Sequence, residues 1–545
     1  MLPTFDRDTD VSSAFLTFLR HAAAARQNGA ADTAARWLDA ASRLWPLDEP
    51  SLDLFSGRLS DRQRHDEAIE LAAIIAQLDP AHAPAHFRLG HALQMANRHR
   101  GAIGPYRRAL SLDPTLPRLR NNLAGALMLT GGDAREQLAL LESAVQNDPG
   151  DGDAWTNLAH AYRMAMDLPR ALDAGAAAVR CAPHSPLALN NHALALREAQ
   201  RWDDADEAAQ SACAAAPGNA TMRSNLAMLQ LMRGNYAAGW QSHEARWDGS
   251  AELGGNRPAF PVPTWRGEPL AGKTLLVWGE QGMGDVLQFS RYIPMLADRV
   301  HREGGRVFWN SFPQMGALLT RSFGNHVDAY SSSAKVESLM PFDYEIPLLS
   351  LPSIFDTRDT SIPAPTAYLR ADETARESWR VRMNKETRLK VGLTWTGSIG
   401  HQRNPFRRVG WERYAAHFGA MRNVAFYSLQ PGADADVAAA RAAGFAITDF
   451  TAEFATFDDT AAFVSTLDLV ITVCTSAAHL SGALGQRTWI LLDVNPHWVW
   501  QLDRRDSPWY SSAKLYRQPR FGQWEPVLAE VAGDLNALAM KHSEA

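Results

Sequence analysis

Prolines close similar segments at residues 46, 80, 114, 149, 183 and 217, in RLWP, QLDP, SLDP, QNDP, RCAP and AAAP. The steps between them are 34, 34, 35, 34 and 34 residues. Self-similarity at a fixed period of this length means a stack of identical small units rather than one closed core. Between the prolines each unit carries two amphipathic helical patterns around a polar turn, as in HFRLGHALQMANRHRGAIGPYRRALSLDP. Small residues recur where helices must approach closely, at Gly90, Gly125, Ala159 and Ala193, and the second helix of a unit is entered at Ala68, Ala102, Ala171 or Ala205. A helix pair of this size cannot bury its apolar face alone, so the units stack and leave a long concave surface.

These units resemble tetratricopeptide repeats from about residue 47 to 217. The segment before Pro46 reads as a divergent first repeat, and residues 218–247, ending GNYAAGWQSHEARW, as a last helix pair. The array is therefore expected to fill 1–247 with about six to seven repeats. Asn122, Asn157, Asn191 and Asn225 recur at the array's own period, with Arg88 in the equivalent place one repeat earlier. Amides on one line can donate to and accept from the main chain of an extended peptide. The resemblance implies that this line faces the groove, which makes these asparagines candidate acceptor-binding residues for a protein partner. The alternative is that each amide only satisfies backbone in its own turn.

The net charge of −6 argues against a protein that holds nucleic acid through a basic surface. Three cysteines, Cys181, Cys213 and Cys474, form neither a disulfide framework nor a metal motif. The first residues, MLPTFDRDTDVSSAF, are acidic where a secretory signal is basic, and no window is apolar enough to span a membrane. A cytoplasmic location is expected.

Residues 248–271 are rich in Gly and Pro and read as a linker. Beyond them strand and helix patterns alternate, with strands expected at 274–278, 306–310, 343–348, 390–396, 424–429, 446–449, 468–473 and 487–492. That alternation predicts a doubly wound α/β protein. Leu351–Thr366 interrupts it and divides two sheets of unequal size, giving lobes at 272–375 and 376–545. The stretch TLLVWGEQGMGDVL, 274–287, places a glycine turn between a strand and a helix, the arrangement that carries ligands at a sheet's carboxyl edge. Its spacing is not the dinucleotide fingerprint. Gly282 and Gly284 let the backbone approach a substrate closely, and Asp285 falls near a helix N-terminus.

Four motifs appear in order: GEQGMGDVLQFSRYIPML, VGLTWTGSIGHQRNPFRRV, LDLVITVCTSAAHLSGALGQRTWILL and PHWVWQLDRRDSPWYSSAKLYRQ. Together, over about residues 270–530, they resemble glycosyltransferases related to the ADP-heptose heptosyltransferases. The fold class expected is thus an all-α tetratricopeptide superhelix followed by an α/β GT-B domain with two Rossmann-like lobes. The resemblance implies inverting, metal-independent transfer from a nucleotide sugar, which is a substrate and not a cofactor.

By that resemblance Asp285 is the candidate general base, with Glu280 as second candidate or a mere solvated turn residue. Thr475 and Ser476 would offer hydroxyls and N–H groups to a phosphate at a helix N-terminus, and His479 a proton or hydrogen bond to the leaving group. The basic run His401, Arg403, Arg407 and Arg408 would clamp phosphates. Gly397 and Ser398 would allow close approach of the donor, and Gln430 would border its base. Cys474 stands at a donor-side position where the family usually carries Asp, which leaves the donor sugar open. Trp498, Trp500 and Trp509 read as packing. The expected function is transfer of a sugar to a protein recruited by the array, flagellin being one such acceptor. Transfer to a lipopolysaccharide or capsule glycan, or a non-catalytic scaffold with a decayed transferase half, are the alternatives.

Overall fold

The computed structural model describes residues 9–250, 252–280, 282–333, 335, 339 and 341–544. The reading of the first eight residues, and Gln281 of the glycine turn, lie outside the described residues. The chain divides into two compact units, Met1–Ala195 and Leu196–Ala545.

The first unit is a helical repeat array. Its helices run in antiparallel pairs, for example Thr9–Gln27 with Ala31–Leu44 and Ala83–Met95 with His99–Leu112. The turn inside each pair contains a left-handed residue, at Gly29, Gln63, Asn97, Gly131 and Met166, and the series continues at Gln200 and Gly234 in the second unit. Left-handed backbone at a helix end turns the chain and satisfies the last carbonyls. The steps of 34 or 35 residues repeat the proline period and extend it to the divergent first pair. Ala68, Ala102, Ala171 and Ala205 are fully buried, as the pattern requires. Gly90 takes the ring of Tyr106 against its backbone, where a Cβ would stand 2.6 Å from Cε1. In the next repeat this place belongs to fully buried Ala124 and not to Gly125, whose Cβ would meet nothing nearer than the Gln94 amide at 3.8 Å. The close-packing place thus falls one residue before Gly125.

The second unit begins with helices that continue the repeat pattern, Trp202–Ala215, Ala220–Met232, Tyr236–His243 and Arg246–Gly249. It then forms two parallel sheets. The smaller has β1 (Thr274–Trp278), β2 (Arg306–Asn310), β3 (Ala329–Ser331) and β4 (Tyr344–Pro347) in the order β3-β2-β1-β4. The larger has β5 (Leu389–Thr394), β6 (Val424–Ser428), β7 (Ile447–Asp449), β8 (Leu469–Val473), β9 (Thr488–Leu492) and β10 (Ala513–Arg517) in the order β10-β9-β8-β5-β6-β7. The inner strands are mostly apolar, β6, β8 and β9 being buried at every position, because helices cover both faces of a parallel sheet.

Three features went unseen in the pattern. β3 is three residues long, β10 mixes Lys514 and Arg517 among its apolar residues, and the helix Glu525–Glu544 begins after the turn at Pro519–Gly522. The helix Glu373–Arg382 lies across the expected lobe boundary at 375 and packs Trp379 on Phe463 of the larger lobe, ring centres 4.9 Å apart. The linker is not loose along its length. Glu345 N–H donates to the Pro263 carbonyl (3.1 Å), and Trp265 N–H donates to that of Glu345 (2.8 Å), which adds the segment to the edge at β4.

Candidate active site

Each sheet has one place where the connections leave in opposite directions, between β1 and β4 and between β5 and β8. Ligands of open α/β sheets lie outside the carboxyl ends of such strands. The sequence-derived site residues cluster there. The turn 279–285 leaves β1, residues 395–398 leave β5, and Cys474–Ser476 leaves β8. The helices Met283–Phe289 and Ser476–Ala483, one from each lobe, start face to face. A Cβ on Gly284 would stand 3.1 Å from Cδ2 of His479 and 3.4 Å from Cα of Ser476. Glycine at 284 therefore serves the approach of the two lobes.

Asp285 lies in the first turn of its helix and accepts the Gly282 N–H at 3.2 Å. Part of its side chain stays open. Burial pushes its carboxyl up to about 7, against the Gly282 hydrogen bond, with Glu280 and Glu252 pushing the same way and Arg246 opposing. A carboxyl that titrates near neutrality is poised to take a proton. Glu280 is not a solvated turn residue. It is 3% exposed, and both its oxygens are occupied by Arg246 and by the Leu349 N–H. Such a carboxylate has no room for a substrate proton.

On the opposite face Thr475, Ser476 and Ala477 are partly exposed at the helix N-terminus, and no side chain caps it. The N–H groups there are available to an anion. Cys474 is buried, its thiol pushed up by burial, and its Sγ accepts the Trp500 indole N–H at 3.1 Å. His479 is stacked on Trp500 and shares a 2.9 Å hydrogen bond with the Tyr510 hydroxyl. Burial, followed by His497 and Arg291, pushes its imidazole down to about 3, so at neutral pH it is uncharged and does not serve as a general acid. The part left to His479 is packing and a hydrogen bond.

The basic run divides. Arg403 is withdrawn into ion pairs with Glu198 and with Asp493 (2.7 Å), so it does not serve as a phosphate clamp. Arg408 is exposed. Arg407 lies across Gly397, where a Cβ would overlap its guanidinium, and has no ion-pair partner among the described residues. His401 is pushed down to about 4 by burial and by Arg407, with Glu252 at 3.9 Å. Around Gly397 and the exposed Ser398 the turn is braced. Asn404 accepts the Gly397 N–H (3.0 Å), and Gln430 accepts the Thr396 N–H (3.2 Å), so the Gln430 carboxamide is used within the turn. Sequence reasoning missed Glu252, His497, Asp493, Glu198 and Arg246. Arg246 stood in the quoted stretch GNYAAGWQSHEARW and His497 in the last of the four motifs, where burial pushes the imidazole down to about 3. Trp498, Trp500 and Trp509 are buried packing residues. Among the described residues no cluster of three His, Cys, Asp or Glu is placed to hold a metal ion.

In the array, Asn157 donates to the Asn121 carboxamide (2.8 Å) and Asn191 to the Thr156 carbonyl (3.4 Å), each reaching into the preceding repeat. Asn122 lies near the Tyr106 hydroxyl, which donates to the Gln94 carboxamide at 2.7 Å. Arg88 is buried against Asp53 at 2.7 Å. In the second unit the Asn225 carbonyl accepts from Arg197 at 3.4 Å. All four asparagines keep partial exposure. Seven residues beyond Arg88, Asn122 and Asn157, two helical turns on, stand Met95 (49% exposed), Leu129 (65%) and Met164 (40%). They form an apolar line beside the amide line.

The model of the tetratricopeptide repeat matches residues 58–117, 128–186 and 190–242. These residues hold tetratricopeptide repeats. Protein FlbA of Caulobacter vibrioides is 26% identical over 456 residues, covering 77% of this chain and 72% of FlbA. That span is longer than the repeats and reaches into the α/β region. A small glutamine-rich tetratricopeptide protein of Mycosarcoma maydis is 33% identical over 85 residues, 16% of this chain and 22% of its own. Among solved structures, PilF of Pseudomonas aeruginosa aligns with a TM-score of 0.33 at 18% identity, over 38% of this chain and 95% of PilF. The tetratricopeptide array is followed by an α/β region with parallel sheets, and no helix among the described residues is long and apolar enough to cross a membrane.

Proposed function

We propose that the α/β region is a glycosyltransferase of GT-B type that moves a sugar from a nucleotide-sugar donor to a protein bound by the tetratricopeptide array in the cytoplasm. One observation carries this reading: a carboxyl that titrates near pH 7, Asp285, faces an uncapped helix N-terminus across two apposed sheet edges. Asp285 takes the proton of the acceptor hydroxyl while the sugar passes to it with inversion. The N–H groups at Thr475–Ser476 and the Arg407 guanidinium receive the departing phosphate charge. The exposed line of Met95, Leu129 and Met164 beside the amides suits an acceptor with apolar side chains, and a flagellar protein such as flagellin is the acceptor class to test first.

The test is intact-mass analysis of secreted and flagellar proteins from cells carrying the wild-type chain or Asp285→Asn. A mass increment of one sugar that disappears in the variant is expected, with transfer in vitro falling about 10²- to 10⁴-fold. Equal masses in both strains end the protein-acceptor reading. One observation favours a second reading, a scaffold without transfer: Cys474 is buried and hydrogen-bonded to Trp500 where an acidic donor-side residue is expected. Under it, Asp285→Asn changes no product.

A further inference from the structure

The closing helix of the repeat segment reaches under the turn that carries Asp285. Arg246 is 1% exposed. Its guanidinium donates to Glu280 (2.8 Å to Oε1, 3.1 Å to Oε2), Glu244 (2.9 Å), the Ser350 hydroxyl (2.9 Å) and the His243 carbonyl (3.3 Å). Glu280 in turn accepts the Leu349 N–H at 2.9 Å, which ties the turn after β1 to the residues after β4. A buried ion pair gains little net stability, because losing water offsets most of its attraction. What five directed hydrogen bonds do supply is location.

We propose that Arg246 is a positioning residue for the candidate base: through Glu280 it fixes the turn 279–285 at the sheet edge and keeps Asp285 in the cleft. This rests on the reading of Asp285 as the base. The fixing matters because the turn's glycines offer no side chains, and Asp285 is bonded only locally among the described residues: its carboxylate accepts the Gly282 N–H at 3.2 Å and its own N–H donates to the Gly282 carbonyl at 3.0 Å. The groups facing Asp285 come from four elements. They are Glu280 on its own turn, Glu252 on the linker, Arg246 on the closing helix, and Cys474 beyond β8, with uncharged His479 packed against Gly284. The repeat-like helices of the second unit therefore contribute to the transferase site, and the α/β sheets alone do not complete it.

Two full-length variants test this. Arg246→Met/Glu280→Met removes the pair without leaving a buried charge, and Arg246→Lys keeps the charge but loses the fork. The readouts are hydrogen exchange over 279–285 and esterification of Asp285 by a diazoacetamide, which consumes only the protonated acid. In the double variant, exchange over the turn is expected to rise roughly ten-fold while β1 keeps its protection. The esterification midpoint should fall from about 7 toward the ordinary carboxylate range as water enters. Arg246→Lys should lie between that and the wild type. Turn exchange and midpoint both at wild-type values in the double variant overturn the proposal, as does uniform loosening of β1 and turn together. If the double variant does not fold, Arg246→Lys decides: faster exchange confined to the turn supports it, and unchanged exchange overturns it. Retained transfer in Asp285→Asn would instead sink the assignment of the base, whatever these variants show.

Discussion

The repeats up to Ala195 and the repeat-like helices from Leu196 to Gly249 share one period and one kind of turn, yet they bury different things. In the first stretch the buried residues are mainly Ala, Leu and aromatic rings, and the ion pairs are mostly half-exposed, as in Arg107–Glu136 and Arg170–Glu142. Arg88 is the exception, and its partner Asp53 is 66% exposed. In the second stretch Arg197, Glu198, His243 and Arg246 are all nearly or fully buried. Glu198 holds Arg403 beside the turn after β5, and Arg246 holds Glu280 beside the turn after β1. The same pattern leaves its charged pairs half-exposed in one place and buries them beside the turns after β1 and β5 in the other.

Three pairs of measurements sharpen that contrast. The largest effect of a single substitution is expected from Glu198→Ala, which leaves Arg403 and Asp493 buried with an incomplete set of partners. A loss of about 3 kcal/mol in denaturant unfolding is expected, against about 1 kcal/mol for Asp53→Ala, whose exposed carboxylate water already screens. Equal losses would erase the distinction.

The next concerns acid. His479 and His497 titrate near 3 and His401 near 4 in the folded chain, below the ordinary 6.5. Below pH 6.5 the unfolded chain takes up these protons and the folded chain does not, so the stability they lend is complete above 6.5 and is lost as pH falls toward 4. Each histidine contributes up to about 1.4 kcal/mol per pH unit in that window. In the array His160, near 4, acts with the same sign. Calorimetry at pH 7 and pH 4.5 should therefore show the α/β transition falling further than the array's. Asp285 runs the other way. Its raised carboxyl costs stability as pH climbs to about 7, and Asp285→Asn should raise Tm at pH 8.

The smallest pair uses two glycines. Gly284→Ala forces a Cβ to within 3.1 Å of His479 across the lobes and should cost about 1–3 kcal/mol. Gly125→Ala meets nothing nearer than 3.8 Å on a helix surface and should stabilise by up to about 1 kcal/mol. A destabilised Gly125→Ala would mean that a repeat contact has been misread.

Much of the site was legible because a strand followed by a glycine turn and a helix states its own geometry. The turn after β1 follows from that pattern and those after β5 and β8 from the family resemblance, and the structure puts all three at the two switch points. What the local pattern hides is partnership. Arg403 looked like its neighbour Arg407 until Glu198, 205 residues away in sequence, took it out of the cleft. Glu280 and Asp285 stand in one turn, and the Arg246 guanidinium with the Leu349 N–H distinguishes them by taking both Glu280 oxygens. β3 and β10 were missed for a related reason, since short or mixed edge strands carry too few apolar residues to show a period.

The sequence by itself determined the repeat period, the helix pairs and the alternation that makes parallel sheets, because these follow from local backbone preference and from which residues avoid water. The tertiary structure alone decided which charges are free. A charge's role depends on the groups that reach it from elsewhere in the chain and on how much water they leave, and neither is written in its neighbours.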